Sequence, residues 1–167
     1  MTNPVLYHWF VLGLAAVLFV TAAITDAWRY RIPNAISLAL LLLFPLYVLT
    51  APEPVAWKDH LIFFALTLLG GYALYIKKFA GAGDIKLLAV TGLWAGAEWF
   101  LVFLFITSLT GGLLAMVMTV LTYWRHRTRR SKETLALAKV PIPYGVAIAT
   151  GGLCTLVLLS HKVPFSV

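Results

Sequence analysis

Long apolar runs separated by short polar segments dominate the chain from one end to the other. A membrane-spanning helix needs about 20 predominantly apolar residues. The runs predict six such spans, which are Val5–Thr25, Ala35–Leu49, Leu61–Ile76, Ile85–Ala97, Trp99–Tyr123 and Pro141–Ser160. The second and fourth runs are short for a full crossing, so they extend into flanking loops or lie tilted. The pattern predicts an all-α membrane protein built as a bundle of six transmembrane helices.

The composition agrees with a chain that is covered by the bilayer rather than by water. Hydrophobic residues make up 62% of the chain and charged residues 11%, whereas a soluble domain carries about 25% charged residues. The length of 167 residues fits a single polytopic domain over residues 1–167. No basic segment precedes the first run and no convincing small-residue cleavage site follows it. We therefore interpret it as a span rather than a signal peptide.

Positive charge is distributed unequally between the two sets of connecting loops. Of the 13 Lys and Arg residues, only Lys58 and Lys162 lie on one side, and the other eleven lie in or beside the loops after spans one, three and five. Basic loops face the cytoplasm, so we expect those three loops inside and both termini outside. Because the charge is confined to membrane loops, we expect no nucleic-acid partner. The basic run Arg125–Lys132 is expected to meet anionic membrane lipid.

The same topology separates the six acidic residues of the chain. Those expected outside are Glu53, Asp59 and Glu98. Glu133 lies among arginines in the fifth loop, where a solvated ion pair explains it. Asp26 and Asp84 remain, at the cytoplasmic ends of spans one and four. A carboxylate beside a membrane span is costly, which makes both residues candidates for a functional site.

Asp84 closes the segment Gly81-Ala82-Gly83-Asp84 at the start of span four. Taken alone, the segment is weak evidence for a functional site. Asp84 could be only a helix N-cap, and the glycines could be only residues that end one helix and form a loop. Asp26 could likewise be an interfacial anchor. The agreement of the two aspartates in side and depth favours a paired site, in which two carboxylates share a proton and activate water.

Several segments together resemble the type IV prepilin peptidase family, membrane aspartic proteases of the Gly-x-Gly-Asp class. The segments are Asp26 with Arg31-Ile32-Pro33-Asn34, then Gly81-Ala82-Gly83-Asp84-Ile85-Lys86-Leu87-Leu88, and Pro141-Ile142-Pro143-Tyr144-Gly145. The number and spacing of the spans are also similar. Lys86, two residues after the aspartate, distinguishes the pattern from presenilin-like proteases, which generally lack it.

The resemblance implies an endopeptidase of the bacterial cytoplasmic (inner) membrane whose partners are prepilins or pseudopilins. Such enzymes remove a short basic leader at the cytoplasmic face, after a glycine and before the hydrophobic pilin helix. The resemblance assigns catalysis to Asp26 and Asp84. The residues that it suggests as shaping the site are Gly81, Gly83, Lys86, Pro33, Asn34, Pro143 and Tyr144.

The loop between the first two spans bears on a second activity. Longer members of the family also methylate the new amino terminus, and they carry a cytoplasmic insertion with paired cysteines there. Here the loop has about nine residues and no cysteine, so the chain resembles the short, peptidase-only type of tight-adherence (Flp) pilus systems. We expect no methyl transfer and no cofactor. The four histidines show no ligand spacing and Cys154 is the single cysteine, so we expect no metal either.

The two aspartates are expected to divide the acid and base roles. The dipole of span four should favour the charge of Asp84, whereas Asp26 lies near the carboxyl end of span one. Asp84 would then take a proton from water, with Lys86 reinforcing its charge, and Asp26 would protonate the leaving amine. Coupled carboxylates titrate as a pair, so this assignment is a hypothesis.

Other interpretations stay open from the sequence. A small proton-coupled transporter or channel subunit also uses intramembrane carboxylates, although its site is expected nearer the midplane. Another Gly-x-Gly-Asp intramembrane protease is the second alternative. In the last span, Pro143 could kink the helix instead of shaping a site. The aromatic residues Trp94, Trp99 and Phe100 are expected at the outer membrane interface.

Overall fold

Helices account for almost all of the structure, a computed structural model that describes residues 4–78, 80–128 and 142–161. Within these ranges 88% of the residues are helical and none lies in a strand. The helices are α1 Pro4–Arg29, α2 Asn34–Thr50, α3 Trp57–Ile76, α4 Ala82–Thr128 and α5 Tyr144–Ser160. Predicted features that lie wholly or partly outside the described residues are the basic run Arg125–Lys132, Glu133, Lys139, Lys162 and the start of span six.

The helices confirm the all-α fold and are compatible with a membrane protein. By length and composition α1, α3 and α4 can each cross a membrane, while α2 and α5 are shorter apolar helices. Predicted spans four and five correspond to the two helical segments of α4, which meet at a kink where Gly96 leaves helical geometry with φ 57° and ψ −167°. This left-handed conformation suits glycine, and an added Cβ would lie 2.5 Å from Cε1 of His60. The count of six spans and the position of the termini stay predictions.

A continuous apolar core joins the five helices. The first helix, α1, packs against α2 and α5, while α4 packs against α2, α3 and α5. The fully buried side chains at the centre of these contacts include Phe19, Leu40, Leu87, Leu93, Trp94 and Phe103. Trp94 is therefore buried in the core and does not belong to the lipid-facing aromatic belt that the sequence predicted. Its indole Nε1 donates to the carbonyl oxygen of Leu40 at 3.2 Å, and a satisfied indole can be buried in a core.

Two adjacent glycines bring α5 close to its neighbours. A Cβ added at Gly152 would lie 2.6 Å from the Phe19 ring of α1. A Cβ added at Gly151 would lie 2.9 Å from the Phe103 ring of α4. Small residues let helix backbones approach closely where no water drives association. This close packing holds the start of α5 near the carboxyl end of α1, where Asp26 lies, and near the amino end of α4, where Asp84 lies.

The glycine contact of α5 predicts a difference between two single-methyl substitutions. Gly152→Ala should lower the free energy of unfolding by about 1–3 kcal/mol, because the new Cβ overlaps the buried Phe19 ring. The matched control is Gly70→Ala in α3, since a Cβ there meets nothing within 4 Å. Thermal unfolding in detergent measures both. Equal midpoints for the two variants would contradict the tight α1–α5 contact.

Candidate active site

Asp26 is a buried carboxylate that binds the start of another helix. It lies three residues before the end of α1 and is 3% exposed. Its Oδ2 accepts a hydrogen bond from the backbone N–H of Gly145 at 2.6 Å, and the N–H of Val146 also interacts with it. The first N–H groups of a helix have no partner within that helix. Asp26 therefore caps α5, and its charge faces the positive end of the α5 dipole.

Asp84 binds the start of its own helix. As the third residue of α4, it accepts a hydrogen bond at Oδ2 from the N–H of Gly81 at 3.2 Å, while the Gly81 carbonyl accepts the first helical bond from Ile85. A carboxylate at this position commonly closes a helix start in this way. Asp84 is therefore not the N-cap residue, because Gly81 precedes the helix, but its carboxylate caps the helix start from the third helical position. The capping occupies one carboxylate oxygen and leaves Asp84 half-buried at the edge of a cleft.

The two carboxylates are close enough for their charges to interact. Asp26 acts electrostatically on Asp84, although the residues lie on different helices and 58 positions apart in the sequence. Both carboxylates also accept backbone N–H groups at helix starts. The sequence-based division of roles assumed that only Asp84 faces a helix amino terminus. The structure removes that difference, because α5 provides the same environment for Asp26.

Ile32 packs between the starts of α4 and α5. It lies in the short connection from α1 to α2 and is 7% exposed. A Cβ added at Gly83 would lie 3.4 Å from the Ile32 backbone oxygen, and one added at Gly145 would lie 2.5 Å from Ile32 Cδ1. Gly145 is thus needed for the close approach of Ile32, whereas a Cβ at Gly83 would make only an ordinary contact with it. The sequence analysis did not single out Ile32, although an apolar residue in a short polar loop is a usable signal.

Lys86 and Asn34 connect α4 to α2. The Lys86 ammonium donates to Asn34 Oδ1 at 3.0 Å, and both side chains are exposed. Pro33 directly precedes α2 with an extended backbone, so it sets the direction in which Asn34 begins the helix. The sequence analysis expected Lys86 to act on Asp84. The structure gives its ammonium a contact with Asn34, which links α4 near its start to the start of α2.

Pro143 and Tyr144 lie at the start of α5. Pro143 is buried and precedes the first turn of the helix. The kink alternative is therefore wrong, because a proline kinks a helix only from its interior. Its carbonyl accepts the N–H of Val146 at 3.2 Å. Tyr144 is 42% exposed and lines the open space beside Asp84.

Two open spaces meet at Asp84. The first, here called the cleft, has a volume of about 580 Å³ and is lined by residues that include Lys78, Gly81, Ile142 and Tyr144. The second, here called the groove, has a volume of about 350 Å³ and is mostly apolar. Its lining includes Leu74, Leu88, Leu104, Ser108, Gly111, Gly112 and Ile148. Ala80, Asp84 and Tyr144 line both spaces. A polypeptide that passes Asp84 can therefore occupy two spaces at once, of which the cleft is the more polar and the groove the more apolar.

The predicted outer acids and histidines gather at the other end of the bundle. His8 Nδ1 lies 3.3 Å from Thr50 Oγ1, and His60 Nδ1 lies 2.7 Å from the Leu93 carbonyl oxygen. These histidines line a cavity of about 260 Å³ that is also lined by Glu53, Asp59 and Glu98. Among the described residues, no group of three or more potential ligands could hold a metal ion. The histidines and the aspartate pair thus occupy opposite ends of the bundle.

Comparisons with known proteins agree with the geometry. A sequence model described as the type IV leader peptidase family matches residues 12–116. The match includes both Asp26 and Asp84 and covers more than half of the 167 residues. Searches among curated proteins and among solved structures found no match. The family match and the aspartates at the meeting point of α1, α4 and α5 lead to one conclusion: the chain belongs to the type IV leader peptidase family.

Proposed function

We propose that the protein is an aspartic endopeptidase of the bacterial inner membrane that removes the leader from prepilins or pseudopilins. Its catalytic pair is Asp26 and Asp84. The observation that carries the proposal is the placement of these two carboxylates on different helices. Asp84 lines an open cleft, and Asp26 binds the start of α5, whose first residue, Tyr144, lines the same cleft. The family supports peptidase chemistry, and the geometry supplies two groups that such chemistry requires.

Hydrolysis needs a base for the attacking water and an acid for the leaving amine. One carboxylate of the pair takes a proton from water while the water oxygen forms a bond to the scissile carbonyl carbon. The other, protonated, gives its proton to the amide nitrogen as the C–N bond breaks. Adjacent carboxylates resist double ionisation, so one of them carries the proton that the leaving group needs.

Exposure distinguishes the two residues. Asp84 lines both the cleft and the groove, whereas Asp26 is 3% exposed and bound to the start of α5. We assign Asp84 as the carboxylate that first meets water and substrate, and Asp26 as its proton-sharing partner. The assignment states which carboxylate water and substrate can reach. It does not state which carboxylate holds the shared proton, because the two titrate as a pair.

The substrate class follows from the two spaces that meet at Asp84. The leader fits the more polar of the two spaces, the cleft, and the apolar helix that follows it fits the groove between α3, α4 and α5. In the groove, Gly111 and Gly112 present little side-chain bulk, which favours close contact with a helix. A prepilin has this sequence of a leader followed by an apolar helix.

The α1–α2 connection supports a peptidase without methyltransferase activity. Only residues 30–33 separate the two helices, which leaves no space for the cytoplasmic insertion of bifunctional relatives. We therefore infer the short type that serves tight-adherence (Flp) pili. The polypeptide 1–167 acts as one domain in this account, with the α4 and α5 starts at the cytoplasmic face.

Isosteric loss of either carboxylate should abolish cleavage. Asp26→Asn and Asp84→Asn keep the side-chain size but remove proton transfer, so the cleavage rate should fall by at least about 10³-fold. Asp59→Asn is the matched control, because Asp59 lines the cavity at the other end of the bundle. The rate is measured on a prepilin co-reconstituted in liposomes. Wild-type cleavage by either site variant, with both inserted normally, would rule out the pair.

Gly145 should control catalysis through the position of Asp26. In Gly145→Ala the new Cβ would lie 2.8 Å from Asp26 Oδ2 and 2.5 Å from Ile32 Cδ1. The carboxylate must shift, and a displacement of about 1 Å can cost about 10²-fold in rate. Gly13→Ala in α1 is the control, because its Cβ meets nothing within 4 Å. The readout is the turnover number at saturating prepilin.

A second variant separates displacement from general instability. Gly152→Ala disturbs the same helix through Phe19 rather than through Asp26. At a temperature where both variants remain folded, Gly152→Ala should keep near wild-type turnover while Gly145→Ala does not. Equal turnover in the two variants would contradict the positioning role of Gly145.

The orientation can be tested with two described positions. Glu53 precedes α3, and Lys78 follows it, so the two lie at opposite ends of the helix. In a Cys154→Ala background, a membrane-impermeant thiol reagent should label Glu53→Cys from outside whole cells. Lys78→Cys should be labelled only after the membrane is permeabilised, because the basic loops face the cytoplasm. The reverse labelling pattern would place the aspartates on the wrong face for a cytoplasmic leader.

A further inference from the structure

Another apolar groove, here called the α2–α3 groove, lies between α2 and α3. Both helices pack against α4, and the groove has a volume of about 540 Å³. The apolar side chains that line it are Leu38 and Leu41 of α2, Phe64 and Leu68 of α3, and Ala89 and Val90 of α4. Asp84 does not line this groove, which is separate in its lining from the cleft and groove of the proposed peptidase site.

A positive charge stands at one end of the α2–α3 groove. Lys86 and Asn34 both line it, and their side chains are hydrogen-bonded at 3.0 Å. A lysine ammonium has three donors, so the bond to Asn34 leaves two for another acceptor. Lys86 is exposed. An apolar channel with an open ammonium at its end is suited to an amphiphile with an anionic head.

Ser37 provides a third and independent feature of this groove. It is 5% exposed, lines the groove, and its hydroxyl has no hydrogen-bond partner within the described part of the chain. Two other buried residues differ in this respect, because Thr91 and Thr155 each donate to the carbonyl oxygen four residues earlier. The Thr107 hydroxyl also lacks a partner among the described residues, but it lies in the groove beside Asp84. A buried hydroxyl without a partner is costly. An acceptor inside the groove would remove that cost.

We propose that the α2–α3 groove binds an anionic phospholipid. The phosphate binds the Lys86 ammonium, the Ser37 hydroxyl donates to an ester carbonyl oxygen, and an acyl chain lies against Leu41, Phe64 and Leu68. Ser37 follows Asn34 by three residues, which is about 4.5 Å along a helix. The protein thus presents a cation, then a hydroxyl, then an apolar surface, in the order in which a phospholipid presents its phosphate, ester and chain.

A polypeptide helix does not match this series of groups. An apolar helix brings no anion for Lys86, and its backbone carbonyls already accept the hydrogen bonds of the helix. A soluble phosphate would satisfy Lys86 but leave the apolar walls and Ser37 unoccupied. The lysine also favours an anionic headgroup over a zwitterionic one.

Native mass spectrometry of the detergent-purified full chain tests the proposal. With equal phosphatidylglycerol and phosphatidylcholine, wild-type protein should retain phosphatidylglycerol with a preference of about fivefold, the selectivity that one lysine at an anionic surface supplies. Lys86→Ala should remove that preference. Leu68→Trp should lower retention of both lipids by at least about tenfold, because the indole takes the place of acyl methylenes. Leu69→Trp is the matched control, since Leu69 is 68% exposed and does not line the groove.

Ser37→Ala gives a readout that a merely structural serine would not give. Removal of the unpartnered hydroxyl should raise the unfolding temperature of the delipidated protein. The further rise on adding phosphatidylglycerol should become smaller than in wild type, because the ester has lost its donor.

Four results would overturn the proposal. Equal retention of the two lipids by wild type would remove the anionic site. Equal loss in Leu68→Trp and Leu69→Trp would show a non-specific lipid annulus. Glycerol phosphate that stabilises the protein as well as phosphatidylglycerol does would indicate a soluble anion. Displacement of phosphatidylglycerol by an added prepilin would assign the groove to the substrate.

Discussion

The hydrogen bond from the Gly145 N–H to Asp26 Oδ2 holds the functional end of the molecule together. It is 2.6 Å long, buried, and joins residues 119 positions apart. The bond stabilises both partners, because a buried carboxylate without a partner and an unpaired N–H at a helix start each cost free energy. Bonds with an ionised partner are also stronger than neutral ones. Through this contact α5 fixes the carboxylate that interacts with Asp84.

Close backbone packing makes that hydrogen bond possible. Gly151 and Gly152 let α5 approach Phe103 and Phe19, while Gly145 admits Ile32 beside the start of α5. Without these glycines the helix ends could not meet, since an added Cβ would collide at Gly145, Gly151 and Gly152. The packing of the apolar helices therefore determines where the helix ends that carry Asp26 and Asp84 lie. In this account a mutation in the core affects catalysis only as far as it moves the helix starts.

The sequence predicts well the features that follow from the preference of a segment for lipid or water, namely the positions of the apolar helices and the helix ends at which the two aspartates lie. Apolar runs identified the helices to within a few residues, and the predicted side and depth of Asp26 and Asp84 led to the hypothesis of a pair. Hydropathy reports whether a segment prefers lipid to water, but it does not report which helices are neighbours. For this reason the bond of Asp26 to Gly145, the contact of Lys86 with Asn34 and the burial of Trp94 were not predicted. Each joins residues far apart in the chain and leaves no local signal. The role of Ile32 had such a signal and was missed.

Cross-linking between the two aspartate positions tests the central claim that they form one site. In a Cys154→Ala background, Asp26→Cys combined with Asp84→Cys should be bridged by a short bifunctional thiol reagent in native membranes. Asp26→Cys combined with Glu53→Cys should not be bridged, because Glu53 lines the cavity at the other end of the bundle. The account predicts an internal cross-link for the first pair, detected as a mass increase of one bridging group. If both cysteines of the first pair react singly but never become bridged, the aspartates do not share a site and the account is wrong.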